Sequence, residues 1–67
     1  MEGLRLFEDF LKERDGSLYV SCGRLGLSYQ GLINKLRGKT SFTLCELQQV
    51  VRLYGLSQAD IVRFFFG

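Results

Sequence analysis

A chain of 67 residues with a formal net charge of +2, 46% hydrophobic and 24% charged, excludes a second domain, a deep catalytic cleft and a disordered polymer. No apolar run approaches the roughly 18 residues of a membrane span, and Glu2, Glu8 and Asp9 break the basic-then-apolar plan of a signal peptide, so a soluble cytoplasmic protein is expected. Histidine is absent and Cys22 and Cys45 lack CxxC spacing, so no ordinary zinc site and no cofactor are expected, and both thiols are read as reduced, buried apolar groups.

Leu4, Phe7, Phe10, Leu11 and Arg14 recur at helical spacing, and Glu8 and Lys12 form a favourable i,i+4 pair, predicting a first amphipathic helix over residues 3–14. Asp15-Gly16-Ser17 stops it, with Gly16 suited to a left-handed cap. Ser17 then caps a short second helix reaching Arg24 or Leu25, against the β-preference of Leu18-Tyr19-Val20 and the helix-weakening Gly23. After Gly26-Leu27, Ser28 is the N-cap of a third helix from Tyr29 to about Arg37, with Leu32 and Leu36 facing inward beside Leu27, and Gly38 ends it.

Thr43 and Glu46 have the spacing of a capping box and open a fourth helix with an apolar stripe of Leu44, Leu47, Val50, Val51 and Tyr54. Gly55 ends that helix, and Ser57 with Asp60 opens a fifth, whose apolar side is Ile61, Val62, Phe64 and Phe65. Five helices joined by short turns, with Leu32, Leu36, Leu47, Val50 and Ile61 in the core, describe one all-α domain over residues 1–67. Phe64-Phe65-Phe66 cannot all point one way, so one or two rings close the core and the rest stay exposed.

The modest net charge hides an asymmetry. Residues 1–23 carry −2 and residues 24–67 carry +4, and no acidic residue stands from Gly16 through Cys45. One end of the molecule therefore has a positive field. In the same region, residues 17–37 have the layout of a helix-turn-helix, with Cys22 as the small residue, Gly26 as the turn and Leu32 as the apolar contact. The outer side of the second of these helices carries Tyr29, Gln30, Asn34 and Lys35.

Several further spacings agree with one another: Gly26-Leu27-Ser28, Leu32 to Leu36 as Leu-x-x-Lys-Leu, Gly38-Lys39, Phe42-Thr43 with Glu46, Tyr54-Gly55-Leu56 and Phe64-Phe65. On these residues the segment 26–65 resembles the small helix-turn-helix regulators of the lambda-repressor and Cro-like (XRE-type) superfamily, most closely the short phage and prophage members. The chain departs from that pattern at Ser21-Cys22, where a Leu-Ala pair is usual, and at Gly31, where a β-branched or polar residue is common.

The resemblance implies a compact five-helix, lambda-repressor-like bundle that binds double-stranded DNA as a transcription regulator. It also implies homodimerisation, with Phe65 and Phe66 as the candidate contacts. The chemistry of the residues points the same way. Gln30 and Asn34 stand one turn apart and can each pair with adenine, and Tyr29 suits a thymine methyl or a phosphate. Ser28 and its helix N-terminus, Lys35, Arg37, Lys39, Thr40, Ser41 and Arg24 are candidate phosphate contacts. Three or four neutralised phosphates give a log–log salt slope of roughly −3 to −4 per subunit.

The alternative function is a protein-interaction module on the same fold without DNA binding. An enzyme is not expected, because no serine or cysteine has a nearby base. Asp9 and Glu13 at i,i+4 read as surface charge beside Lys12.

Overall fold

In the computed structural model, which describes residues 2–67, the described residues form five helices and no strand: α1 (Glu2–Asp15), α2 (Leu18–Leu25), α3 (Tyr29–Leu36), α4 (Leu44–Tyr54) and α5 (Gln58–Phe65). Each boundary has a local chemical cause. Ser17, Ser28, Thr43 and Ser57 all have extended backbone, and each hydroxyl accepts the backbone N–H three residues on. Thr43 with Glu46 and Ser57 with Asp60 complete reciprocal capping boxes. Gly26 closes α2 at φ 71°, a left-handed conformation that a side chain would resist, and lets the chain turn directly into Ser28. Gly23 does not prevent α2 from forming, and the β-preference of Leu18-Tyr19-Val20 gives way to the Ser17 cap and to burial of Leu18, Ser21 and Leu25.

α1 is the spine, packing against α2, α3 and α5. Its Leu4, Phe7 and Leu11 are buried, and Phe7 is fully enclosed. The ring of Phe7 lies 5.0 Å from that of Phe65, 5.3 Å from Phe64, 6.0 Å from Phe42 and 6.3 Å from Phe10, so one side chain joins three parts of the chain. Leu18, Leu25, Leu32, Leu36, Val50, Tyr54 and Leu56 complete the core.

The expected core needs correction at its edge. Leu47 and Ile61 are only partly buried, and Leu44 and Val62 are 71% and 54% exposed. The buried line of α4 is Val50 and Tyr54, one turn apart, and in its first turn Leu44 and Cys45 are exposed while Glu46 and Leu47 are partly covered. The thiols differ as well: both are free, but Cys45 is exposed and Cys22 is half-buried. Phe64 is buried, Phe65 is partly buried and Phe66 is 73% exposed, as the triplet's geometry requires.

A polar knot ties α1, α2 and α4 together. The Asp15 carboxylate, whose side chain is 1% exposed, accepts from Ser21 Oγ at 2.6 Å, Tyr54 Oη at 2.6 Å and the Arg24 guanidinium at 2.8 Å. The guanidinium also lies over the Tyr54 ring, 4.9 Å from its centroid. Ser21 is fully buried, and its hydroxyl is satisfied here.

Two glycines make opposite predictions. A Cβ on Gly3 would collide with the Arg63 carbonyl oxygen and stand 2.7 Å from that of Phe64, because α1 and α5 touch there backbone to backbone. Gly3→Ala is expected to cost about 1–3 kcal/mol through overpacking. A Cβ on Gly23 meets nothing within 4 Å. Gly23→Ala is expected to stabilise by up to about 1 kcal/mol, the helix-propensity difference. Thermal melts decide both: Gly3→Ala should lower and Gly23→Ala raise Tm, by about 4–8 °C per kcal/mol in a domain of this size. Equal melting temperatures for Gly3→Ala and the parent would refute the close approach of the two backbones.

Candidate nucleic-acid interface

α3 is seated by Leu32, with no exposure, and Leu36 at 5%. These residues stand at i and i+4, so the helix face opposite them looks outward. Tyr29, Gln30 and Arg37 are exposed and Asn34 is half-exposed. Ser28 Oγ accepts the Gly31 N–H at 3.0 Å, and Leu32 bonds back to the Ser28 carbonyl. The amides of Tyr29 and Gln30 precede the first intrahelical bond and are open to an external acceptor.

The two candidate base-reading amides hold one another. Gln30 Nε2 donates to Asn34 Oδ1 at 3.0 Å. The pair is therefore fixed as a unit, with the Gln30 carbonyl oxygen and the Asn34 amino group left to bond outward. This differs from the expectation that each amide meets a base separately.

The cations divide into free and committed groups. Lys35 was expected on phosphate, but its side chain is only 13% exposed. Its ammonium lies 3.0 Å from Glu46 Oε1 and donates to the Ser41 carbonyl at 3.1 Å. Lys35 thus clamps α3 to the following loop and the start of α4. The Thr43 backbone N–H and Lys35 together hold the Glu46 carboxyl below its ordinary range, against the opposing effect of burial. Arg24 commits one edge of its guanidinium to Asp15, with the side chain still 43% exposed. Arg37 is 61% exposed and only grazes Glu8 at 3.9 Å. Lys39, Thr40 and Ser41 are exposed, and Lys39 has no carboxylate partner among the described residues.

Sequence reasoning missed one aromatic. Tyr19 is 67% exposed and stacks face to face on Tyr29, with centroids 4.1 Å apart and planes 9° from parallel. The available signal was the pairing of an inward Leu18 with its neighbour in the first turn of α2, which sends Tyr19 outward.

The candidate dimer contacts separate. Phe65 is drawn into the aromatic core against Phe7 and Phe42. Phe66 borders a shallow apolar groove of about 560 Å³ between α4 and α5, lined also by Leu44, Leu47, Val51 and Ile61. A second cleft of about 420 Å³ lies between α1 and α3, where Arg5, Glu8, Asp9, Lys12 and Arg37 mix both signs of charge. No described helix is long and apolar enough to cross a membrane. Comparison with protein-family models, curated proteins and solved structures finds no match to this chain.

Proposed function

We propose that this chain is a sequence-specific, double-stranded-DNA-binding regulator of transcription that lays α3 in the major groove. On this reading α2, the Gly26 turn and α3 act as a helix-turn-helix, in keeping with the resemblance of residues 26–65 to the lambda-repressor and Cro-like regulators. The observation that carries it is the split character of α3: two buried leucines on one side, and on the other an open N-terminus followed by the Gln30–Asn34 pair. At the opposite, C-terminal end of α3, Arg37 only grazes Glu8 at 3.9 Å and Lys39 has no carboxylate partner among the described residues. Ser28, Thr40 and Ser41 add hydroxyls for the backbone.

With Lys35 and part of Arg24 occupied internally, fewer phosphates are neutralised, and the salt slope falls to roughly −2 to −3 per subunit. Phe66 and the apolar α4–α5 groove are the surface this reading assigns to pairing with a second copy, as binding at paired half-sites requires.

Selection from a random duplex library, followed by salt titration on the selected site, tests this reading. Asn34→Ala is expected to cost about 1–3 kcal/mol of preference at one position. Lys39→Ala should weaken all duplexes alike and flatten the slope by about 1. Lys35→Ala should lower Tm and leave the slope unchanged, because its charge is spent on Glu46. Indistinguishable binding curves for the parent, Asn34→Ala and Lys39→Ala would discard these assignments.

The exposed Leu44 and Phe66 favour a second reading, a protein-interaction module on the same fold. That module would show no retention on DNA even at low salt, where phosphate contacts are strongest.

A further inference from the structure

We propose that Tyr19 is a positioning residue for DNA recognition: it stacks on Tyr29 and fixes the ring that begins α3 before the duplex arrives. This rests on the DNA-binding reading of α3 and adds to it a residue from α2. Tyr29 is the first residue of α3 and 37% exposed, so a lone ring there would sample several rotamers. The parallel ring of Tyr19 at 4.1 Å removes that freedom.

The backbone that carries Tyr19 is fixed. Ser17 caps α2 two residues earlier, and Leu18 beside it is 6% exposed. The Gln30–Asn34 bond does the same for the next two groups on α3. Each of the three expected base-contacting side chains thus has a partner within the protein, and only Tyr29 takes its partner, Tyr19, from another helix. Ordering a rotamer-rich side chain during binding weakens the complex, so ordering it beforehand strengthens the matched complex. A disordered Tyr29 would matter little on an unmatched duplex, where phosphates supply the attraction. The stack therefore serves discrimination more than overall affinity.

The test uses the whole chain and the duplex selected for it, beside a scrambled duplex of equal length. Tyr19→Ala is expected to weaken the selected complex by about 3- to 10-fold and the scrambled one by less than about 2-fold. Tyr19→Phe, which keeps the ring and drops the hydroxyl, should bind like the parent. In a Tyr29→Ala background, Tyr19→Ala should change nothing further, because no ring remains to be positioned.

Equal weakening of both duplexes would make Tyr19 a general contact or a folding residue, and would overturn the proposal. So would parental affinity of Tyr19→Ala for the selected site, or an undiminished Tyr19→Ala effect without Tyr29. In these cases binding by the parent still stands, which separates the outcome from failure of the functional reading. That failure appears as no salt-dependent complex of the parent with any duplex, and it removes both.

Discussion

Replacing Asp15 by alanine is expected to remove roughly 3 kcal/mol of stability, because two buried hydroxyls and a guanidinium lose their common acceptor. A domain of this length has about 3–10 kcal/mol in total, so the variant loses a large share of it. Arg24 is 43% exposed and recovers water, whereas Ser21 and Tyr54 are enclosed and do not. The damage therefore comes chiefly from the hydroxyls. Asp15→Asn keeps the shape and one carbonyl oxygen, and should cost less than the alanine change. Urea denaturation followed by circular dichroism ranks the three proteins. An alanine variant with the parental midpoint would show that the knot contributes nothing.

The same knot sets the pH limits. Burial pushes the Asp15 carboxyl up, but the bonds from Ser21, Tyr54 and Arg24 outweigh it and hold the carboxyl below the ordinary 3.8. A group depressed by folding contributes fully above its unfolded value and loses that contribution as pH falls through its folded value. Stability should accordingly hold from neutral pH to about 5 and decline below about 4, less steeply in Asp15→Asn. Tyr54 limits the other side. Burial first, and then its bond to Asp15, push the phenol up from 10.0 to about 12. A raised group contributes below its unfolded value, so this share disappears between pH 10 and about 12. Tyr54→Phe should abolish the alkaline decline assigned to this group.

Phe7→Ala is expected to cost about 3–5 kcal/mol, enough to leave the chain largely unfolded. Phe7 has no exposed surface, and four aromatic rings surround it within 6.3 Å. Removing it opens a cavity whose walls belong to α1, α5 and the loop before α4, and these cannot all collapse inward together. Phe7→Leu keeps most of the volume and loses the ring-edge contacts, so a cost of about 1–1.5 kcal/mol is expected. Proton NMR dispersion and thermal melts distinguish the two variants. A cooperative alanine variant melting within a few degrees of the parent would contradict the central place given to this ring.

The elements were legible because their punctuation is local. A hydroxyl three residues before its amide at Ser17, Ser28, Thr43 and Ser57, and glycines at positions 16, 26, 38 and 55, mark ends that depend on no distant partner. Inward spacing likewise identified Phe7, Leu11, Leu32, Leu36 and Val50. What stayed hidden needs the third dimension. Asp15 reads as a helix stop until Tyr54, 39 positions away, is brought to its carboxylate. Lys35 reads as a free cation until a loop returns Glu46 to it, and Tyr19 reads as a strand former until the Gly26 turn delivers Tyr29. Periodicity gives the apolar side of α4 but not how far along that side neighbours reach, which is why Leu44 and Cys45 were misplaced.

The ring cluster around Phe7 also has a consequence for synthesis on the ribosome. Phe7 is made well before Phe64 and Phe65, the α5 rings that close over it. A nascent chain lacking α5 can form capped turns of helix but lacks the rings that enclose Phe7. Enclosure of Phe7 thus waits until α5 has left the ribosome, and its aromatic surface is open to chaperones until then.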